Sequence, residues 1–120
     1  MSAIFVFGSN LAGRHGKGAA LYALRHHGAI YGQGIGRQGN SYAIPTKDAN
    51  LQTLSLEYIR HYIGLFIDYA RYNHDDVFML TPIGCGLAGH NKLDMIKLIT
   101  SFDVPDNVVF TRDWFVKIAY

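Results

Sequence analysis

In 120 residues the chain has one cysteine, three prolines and one tryptophan. The lone Cys85 can form no internal bridge, which argues against a disulfide-stapled secreted scaffold and fits a reducing cytoplasm. The apolar opening, Ala3 to Phe7, lacks a basic flank and is too short for a signal peptide. No stretch approaches the roughly 20 apolar residues of a membrane helix, so the expected location is cytoplasmic with no membrane partner. No His, Cys, Asp or Glu cluster has metal-ligand spacing, and neither a metal nor a cofactor is expected. Carboxylates are absent from Met1 to Lys47, where five basic residues stand: Arg14, Lys17, Arg25, Arg37 and Lys47. From Asp48 onward the acids outnumber Lys and Arg.

What is present suffices for one core. Apolar residues make up 49% of the chain, with eight tyrosines and seven phenylalanines, and residues 1–120 read as a single domain without linker or repeat. The glycines are uneven: nine of 13 lie between Gly8 and Gly39, and three crowd into Gly84 to Gly89. Glycine loops with excess positive charge suit a phosphate-bearing ligand.

Ala3 to Phe7 is a continuous run of β-formers, a strand buried on both faces, and Gly8-Ser9-Asn10 reads as the turn that ends it. Lys17 to about His27 favours helix, with Gly28 as its stop and His26 and His27 as cations at its negative end. Ser41 to Thr46 reads as a short strand closed by Pro45. The clearest helix runs from about Ser55 to Asn73, with a stripe of Leu56, Ile59, Ile63, Phe66, Ile67 and Ala70 and a cap from Ser55 or Thr53. Val77 to Leu80 is a second buried strand. Asn91 caps a helix through about Thr100 with Leu93, Ile96 and Ile99 inward, and Asn107 to Thr111 is a third buried strand. Arg112 to Tyr120 is apolar enough to pack but ambiguous in type. Strands alternating with helices predict a largely parallel sheet covered on both faces, with ligands bound beyond the strands' carboxyl ends.

Both glycine clusters follow such strands. In the first, Gly8 to Gly18, Gly16 and Gly18 let backbone N–H groups approach an oxygen-rich ligand beside Ser9 and Lys17, and the next helix offers its positive end. Asn10 supplies a donor and an acceptor for a ribose hydroxyl. No Gly-Lys-Ser or Gly-Lys-Thr ends the loop, which excludes a Walker motif. Gly32 to Gly39 has a GxGxxG-like spacing, but a strand follows where a dinucleotide fingerprint needs a helix, so it reads as a mobile loop and a candidate lid. The third run, Thr81 to Gly89, places Gly84, Cys85, Gly86, Leu87, Ala88 and Gly89 to wrap a diphosphate. Cys85 with His90 as base is the nucleophile alternative, and a small residue in a tight turn is the favoured role. Tyr31 or Tyr42 could stack on a base.

Asn10 after an apolar strand, the glycine stretch opening a helix, Ile44-Pro45-Thr46-Lys47 and the Ile83-to-Leu87 turn together resemble the macro-domain family of ADP-ribose binders. The branch it looks nearest holds the ADP-ribosyl-glutamate and DNA ADP-ribosyl glycohydrolases, and the chain also looks like small macro-like proteins of tailed bacteriophages, which would place it in a host cytoplasm. The resemblance runs from Ile4 to about Phe102. It implies a three-layer α/β macro-domain-like sandwich with a largely parallel central sheet, shortened at the N-terminus. It also implies Asn10 at the distal ribose, Gly84 to Gly89 on the diphosphate, and Lys47 attacking the anomeric carbon of an ADP-ribosyl group. Ala88 stands where the glutamate-deconjugating enzymes carry an aspartate, which leaves Asp48 as the candidate acid or base. The implied function is binding of ADP-ribose or a related nucleotide diphosphate sugar, with hydrolysis at Lys47. The alternatives are a non-catalytic binder that sequesters a nucleotide or reads ADP-ribosylated protein or nucleic acid, and a single-stranded nucleic-acid binder. Adenine specificity and oligomeric state stay open.

Overall fold

Hydrophobic alternation organises the sheet. In the computed structural model, which describes residues 2–117, even-numbered Ile4 and Val6 point to one face of β1 (Ala3–Asn10) and Phe5 and Phe7 to the other. The first face carries the larger core, where Tyr42, Ile44, Phe78 and Leu80 meet α2 (Leu56–Tyr72) and α3 (Lys92–Thr100). The second carries a smaller core of Phe7 and Ala43 against Ala20 and Ala23 of α1 (Gly18–His26). Three more strands precede or separate the later helices: β2 (Gly36–Gln38), β3 (Ser41–Lys47) and β4 (Val77–Leu80), with β5 (Val108–Phe110) last. The sheet order is β2-β3-β1-β4-β5; β2 runs antiparallel to β3 and every other pair is parallel.

Local chemistry sets the helix ends. Ser55 caps α2 through the Tyr58 N–H, and Asn91 Oδ1 caps α3 by accepting from Leu93 at 2.8 Å. Of the α2 stripe, Leu56 stays exposed while the other five residues are buried. In α3 the buried residues are Met95 and Ile99, with Ile96 packed beside them. Leu93 is 58% exposed, because the four-residue step from Met95 to Ile99 fixes the inward face. Gly28 follows α1 in the left-handed region (φ 74°). Burial beside Phe5, and secondarily nearby His26, lowers the pKa of His27, so this histidine is neutral at pH 7 rather than a cation at the helix end.

One expected turn and part of an expected loop are strand. Gly8 to Asn10 continue β1, paired with Ile44, Pro45 and Lys47, because β3 itself runs on to Lys47. Pro45 cannot donate to the ladder, and the pairing slips by one residue opposite it, between Ser9 and Asn10. The candidate lid is likewise part of the scaffold. Gly36 to Gln38 form β2, and the segment before it is strapped to the first loop, with Gly32 N–H on the Gly13 carbonyl at 2.8 Å. After β5, Arg112–Trp114 make a 3-10 turn, and residues 118–120 of the ambiguous tail lie outside the described residues. Among the described residues no helix is long and apolar enough to cross a membrane.

Candidate functional site

The order β3-β1-β4 makes β1 the point where the chain reverses its direction of winding. From β1 it leaves through α1 on one face, and from β4 it leaves through α3 on the other. The loops after β1 and β4 therefore part, and a cleft of about 780 Å³ opens between them at the carboxyl ends of the parallel strands. Its walls come from Gly8 to Asn10 and Gly16 to Ala20 on one side, Thr81 to Ala88 on the other, and Thr46 and Lys47 at the end of β3.

The electrostatics are one-sided. Among the described residues, Arg14, Lys17, Lys47, Lys92 and Lys117 line the cleft, against the single carboxylate of Asp113. Among the described residues, Arg14, Lys17 and Lys47 make no ion pair or side-chain hydrogen bond. Backbone donors add to this. α1 begins at Gly18 without a side-chain cap and with no acid in its first turn, so its positive end opens on the cleft. Among the described residues no acceptor meets the N–H of Gly16, Gly18, Gly84, Gly86, Leu87 or Ala88.

Tight backbone packing fixes the first loop. A Cβ on Gly13 would stand 2.8 Å from Gly32 Cα and closer still to the Gly32 carbonyl carbon and Gln33 N, and Gly13 has φ 69°. Gly34 sits directly on the Asn10 carbonyl. Ser9 Oγ donates to the Gly34 carbonyl, while Asn10 closes the loop by accepting from Arg14 N–H and donating to the Arg14 carbonyl, both at 2.9 Å. Asn10 thus lines the cleft, but its amide is engaged in shaping the loop. Gln38 holds the assembly from below: its Oε1 accepts the Ile30 N–H at 2.8 Å and faces His15 Nε2 at 3.1 Å, and its Nε2 donates to the Gln33 carbonyl. Since that oxygen is an acceptor, His15 donates through Nε2 and leaves Nδ1 bare. This buried atom has no partner among the described residues.

The sequence-predicted residues divide clearly. Gly8, Ser9, Asn10, Gly16, Lys17, Gly18, Lys47 and Gly84 through Ala88 meet in the cleft. Asp48 and Gly89 lie outside its lining. The Asp48 carboxylate turns into the bend after β3, where Oδ1 accepts the N–H groups of Asn50 and Gln52 at 2.9 and 3.0 Å. Tyr42 is buried against Phe66 and Tyr69, with burial and then Tyr69 pushing its hydroxyl up to about 12; Tyr31 lines the cleft and is exposed. Lys92, Asp113 and Lys117 were missed. The rule that ligands sit beyond strand ends points to the residues after Phe110, but no glycine cluster marks them.

Cys85 and His90 do not form a nucleophile and base. The thiol faces the Ile83 carbonyl at 3.4 Å and His90 Nε2 the Leu54 carbonyl at 3.1 Å. Burial, only partly offset by Lys92, raises the Cys85 pKa to about 11. Its thiolate fraction at pH 7.5 is then about a hundredth of that of a thiol at 9.0. Iodoacetamide should therefore alkylate Cys85 about a hundredfold more slowly than a free cysteine, with the rate climbing until pH 11. A rate matching the free thiol at pH 7.5 would show an activated cysteine.

Among the described residues no group of three or more His, Cys, Asp or Glu is placed to hold a metal ion. Fold and site define an α/β domain with a cationic, amide-lined cleft at its switch point. Compared with protein-family models, curated proteins and solved structures, the chain matches none.

Proposed function

We propose that the cleft binds ADP-ribose or a related nucleotide diphosphate sugar, and that the domain is a macro-like three-layer sandwich. The observation that carries this reading is the meeting of five cations with two groups of acceptor-free backbone amides in one cleft. A diphosphate is the ligand group that uses both amide walls together. The volume of about 780 Å³ falls in the range of small-molecule sites and exceeds what inorganic phosphate fills. The order of Asn10, Lys47 and the Gly84 to Ala88 loop, resembling the macro-domain pattern, favours a ribosyl group at the β3 side.

Thermal unfolding tests it, with ADP-ribose compared against ATP, NAD and a short oligonucleotide. A ligand at about 100 times its dissociation constant adds about 2.7 kcal/mol. For a domain this size the transition should rise on the order of 10 °C with ADP-ribose. No rise with any nucleotide would remove the reading, and a rise with the oligonucleotide alone would favour a nucleic-acid binder.

Catalysis is the second step. Lys47 presents to the cleft an amine that has no ion pair among the described residues, the group required to attack an anomeric carbon. Asp48 faces away and Ala88 supplies no acid, which favours the non-catalytic reading in which the cleft sequesters a nucleotide or reads an ADP-ribosylated partner. Lys47→Ala should retain ADP-ribose binding, and any turnover of an ADP-ribosylated substrate by the unmodified protein should vanish in the variant. Cleavage at an unchanged rate would take Lys47 out of the chemistry.

A further inference from the structure

The outer side of α2 carries three rows of residues, each stepping by seven. Tyr58, Leu65 and Tyr72 form the first and are 64%, 45% and 87% exposed. His61 and Asp68 form the second, and Glu57, Gly64 and Arg71 the third. Seven residues make almost two helical turns, so the rows run nearly straight, side by side along the helix. Large apolar side chains in line on an open helix face mark a contact surface rather than a solvated one.

Gly64 adds a separate observation. Glycine weakens a helix interior, and the fold does not demand one here. An added Cβ would meet the Phe102 ring at 3.4 Å, an ordinary contact, and Gly64 is not among the glycines of positive φ. The bare backbone leaves a shallow dent between α2 and Phe102, whose ring lies under the Arg60 guanidinium.

Each row is its own complement when reversed. Turned end for end about Gly64 and Leu65, Tyr58 faces Tyr72 and Leu65 faces Leu65. His61 then faces Asp68, and Glu57 faces Arg71. A two-fold axis between two antiparallel helices makes this exchange, because it sets every row against its own reverse. The charged groups are free to use it. Among the described residues Glu57 and His61 make no ion pair, and Asp68 has only a contact at 3.6 Å with Arg71 of its own helix, both side chains staying exposed.

We propose that α2 is a self-docking surface, on which a second copy of this chain packs its own α2 antiparallel, with the two-fold axis at Gly64 and Leu65. The mirrored order of the rows is what points to a second copy: a different partner would require complementarity but not symmetry. With no side chain at Gly64, nothing on that row holds the two backbones apart at the axis. The arrangement leaves both clefts open. α2 starts beside the carboxyl end of β3, where Leu54 N–H meets the Thr46 carbonyl at 2.9 Å, and ends shortly before β4 begins. Antiparallel helices therefore send the two clefts toward opposite ends of the dimer.

Sedimentation velocity on the full chain, from about 1 µM to about 1 mM, should show monomer passing to dimer. One 17-residue helix on each side is a contact at the small end of the range for protein interfaces, so micromolar rather than nanomolar association is expected. His61→Glu sets a carboxylate against Asp68 twice in the dimer and should weaken association at least about tenfold. Asp68→Lys removes the acceptor that His61 faces and should weaken it to a smaller degree. Both positions are exposed, and melting curves on the same samples report folding. Mixed in equal amounts, the two variants should associate like wild type, because each new charge then meets its opposite. A wild-type chain that stays monomeric throughout the series would overturn the proposal, and this arm needs no variant. So would a dimer that neither variant weakens, or variants that do not recover on mixing, since the antiparallel pairing is what brings position 61 opposite position 68.

Discussion

Gly13→Ala should destabilise the domain by about 3 kcal/mol or more, because a buried backbone clash joins a left-handed φ. At about 4 °C or more per kcal/mol, the unfolding midpoint should fall by more than about 10 °C. The site of the clash makes this informative. The strap at Gly32 and Gln33 occupies the place where the new methyl group would stand, and it cannot retreat without releasing the Gly34 contact on Asn10. Gly16→Ala is the matched control: nothing lies within 4 Å of its added Cβ, and its φ is ordinary. A scanning calorimetry trace for Gly13→Ala within about 1 kcal/mol of wild type would mean the strap does not seat the loop.

The second large effect is on binding rather than folding. Gly86→Asp should weaken ADP-ribose binding at least about a hundredfold, since like charges brought together at an interface cost several kcal/mol. The fold should tolerate it, because Gly86 is exposed, has an ordinary φ, and leaves open space around an added Cβ. Calorimetric titration gives the affinity and a melting curve on the same sample reports folding. A variant that melts like wild type and binds like wild type would show that the second loop holds no anion. The two glycine substitutions thus separate glycines that the fold demands from glycines whose bareness serves only the cleft.

Much of this was legible in the sequence because strand and helix periodicity are local signals. The runs at Ile4, Ile44, Phe78 and Val108 became strands, and the capped helices began at Ser55 and Asn91 as their side chains predict. Parallel pairing and the gathering of both glycine loops at strand ends followed from that alternation. What failed depended on partners distant in the chain. Gly8 to Asn10 have turn composition, yet the length of β3 keeps them paired. Gly32 to Gly39 look free, yet Gln38 ties them to His15 and Ile30. Asp48 looks poised beside Lys47, but its own turn captures it, and alternation along a strand end sends neighbouring side chains apart. Asp113 carries no local mark. Only the return of the chain past Leu80 brings it to the cleft.

The sheet ends at both sides in its shortest strands, three residues each in β2 and β5, while β1 and β3 at its interior run to eight and seven. An exposed strand edge is a template on which another chain can add its own backbone. Here each template is barely one hydrogen-bonding repeat long, and from one of them Arg37 Nη1 reaches inward to Asp76, beside the start of β4, at 3.3 Å. The architecture that concentrates acceptor-free amides around the cleft at the strand tips leaves few of them along its sides for unwanted partners.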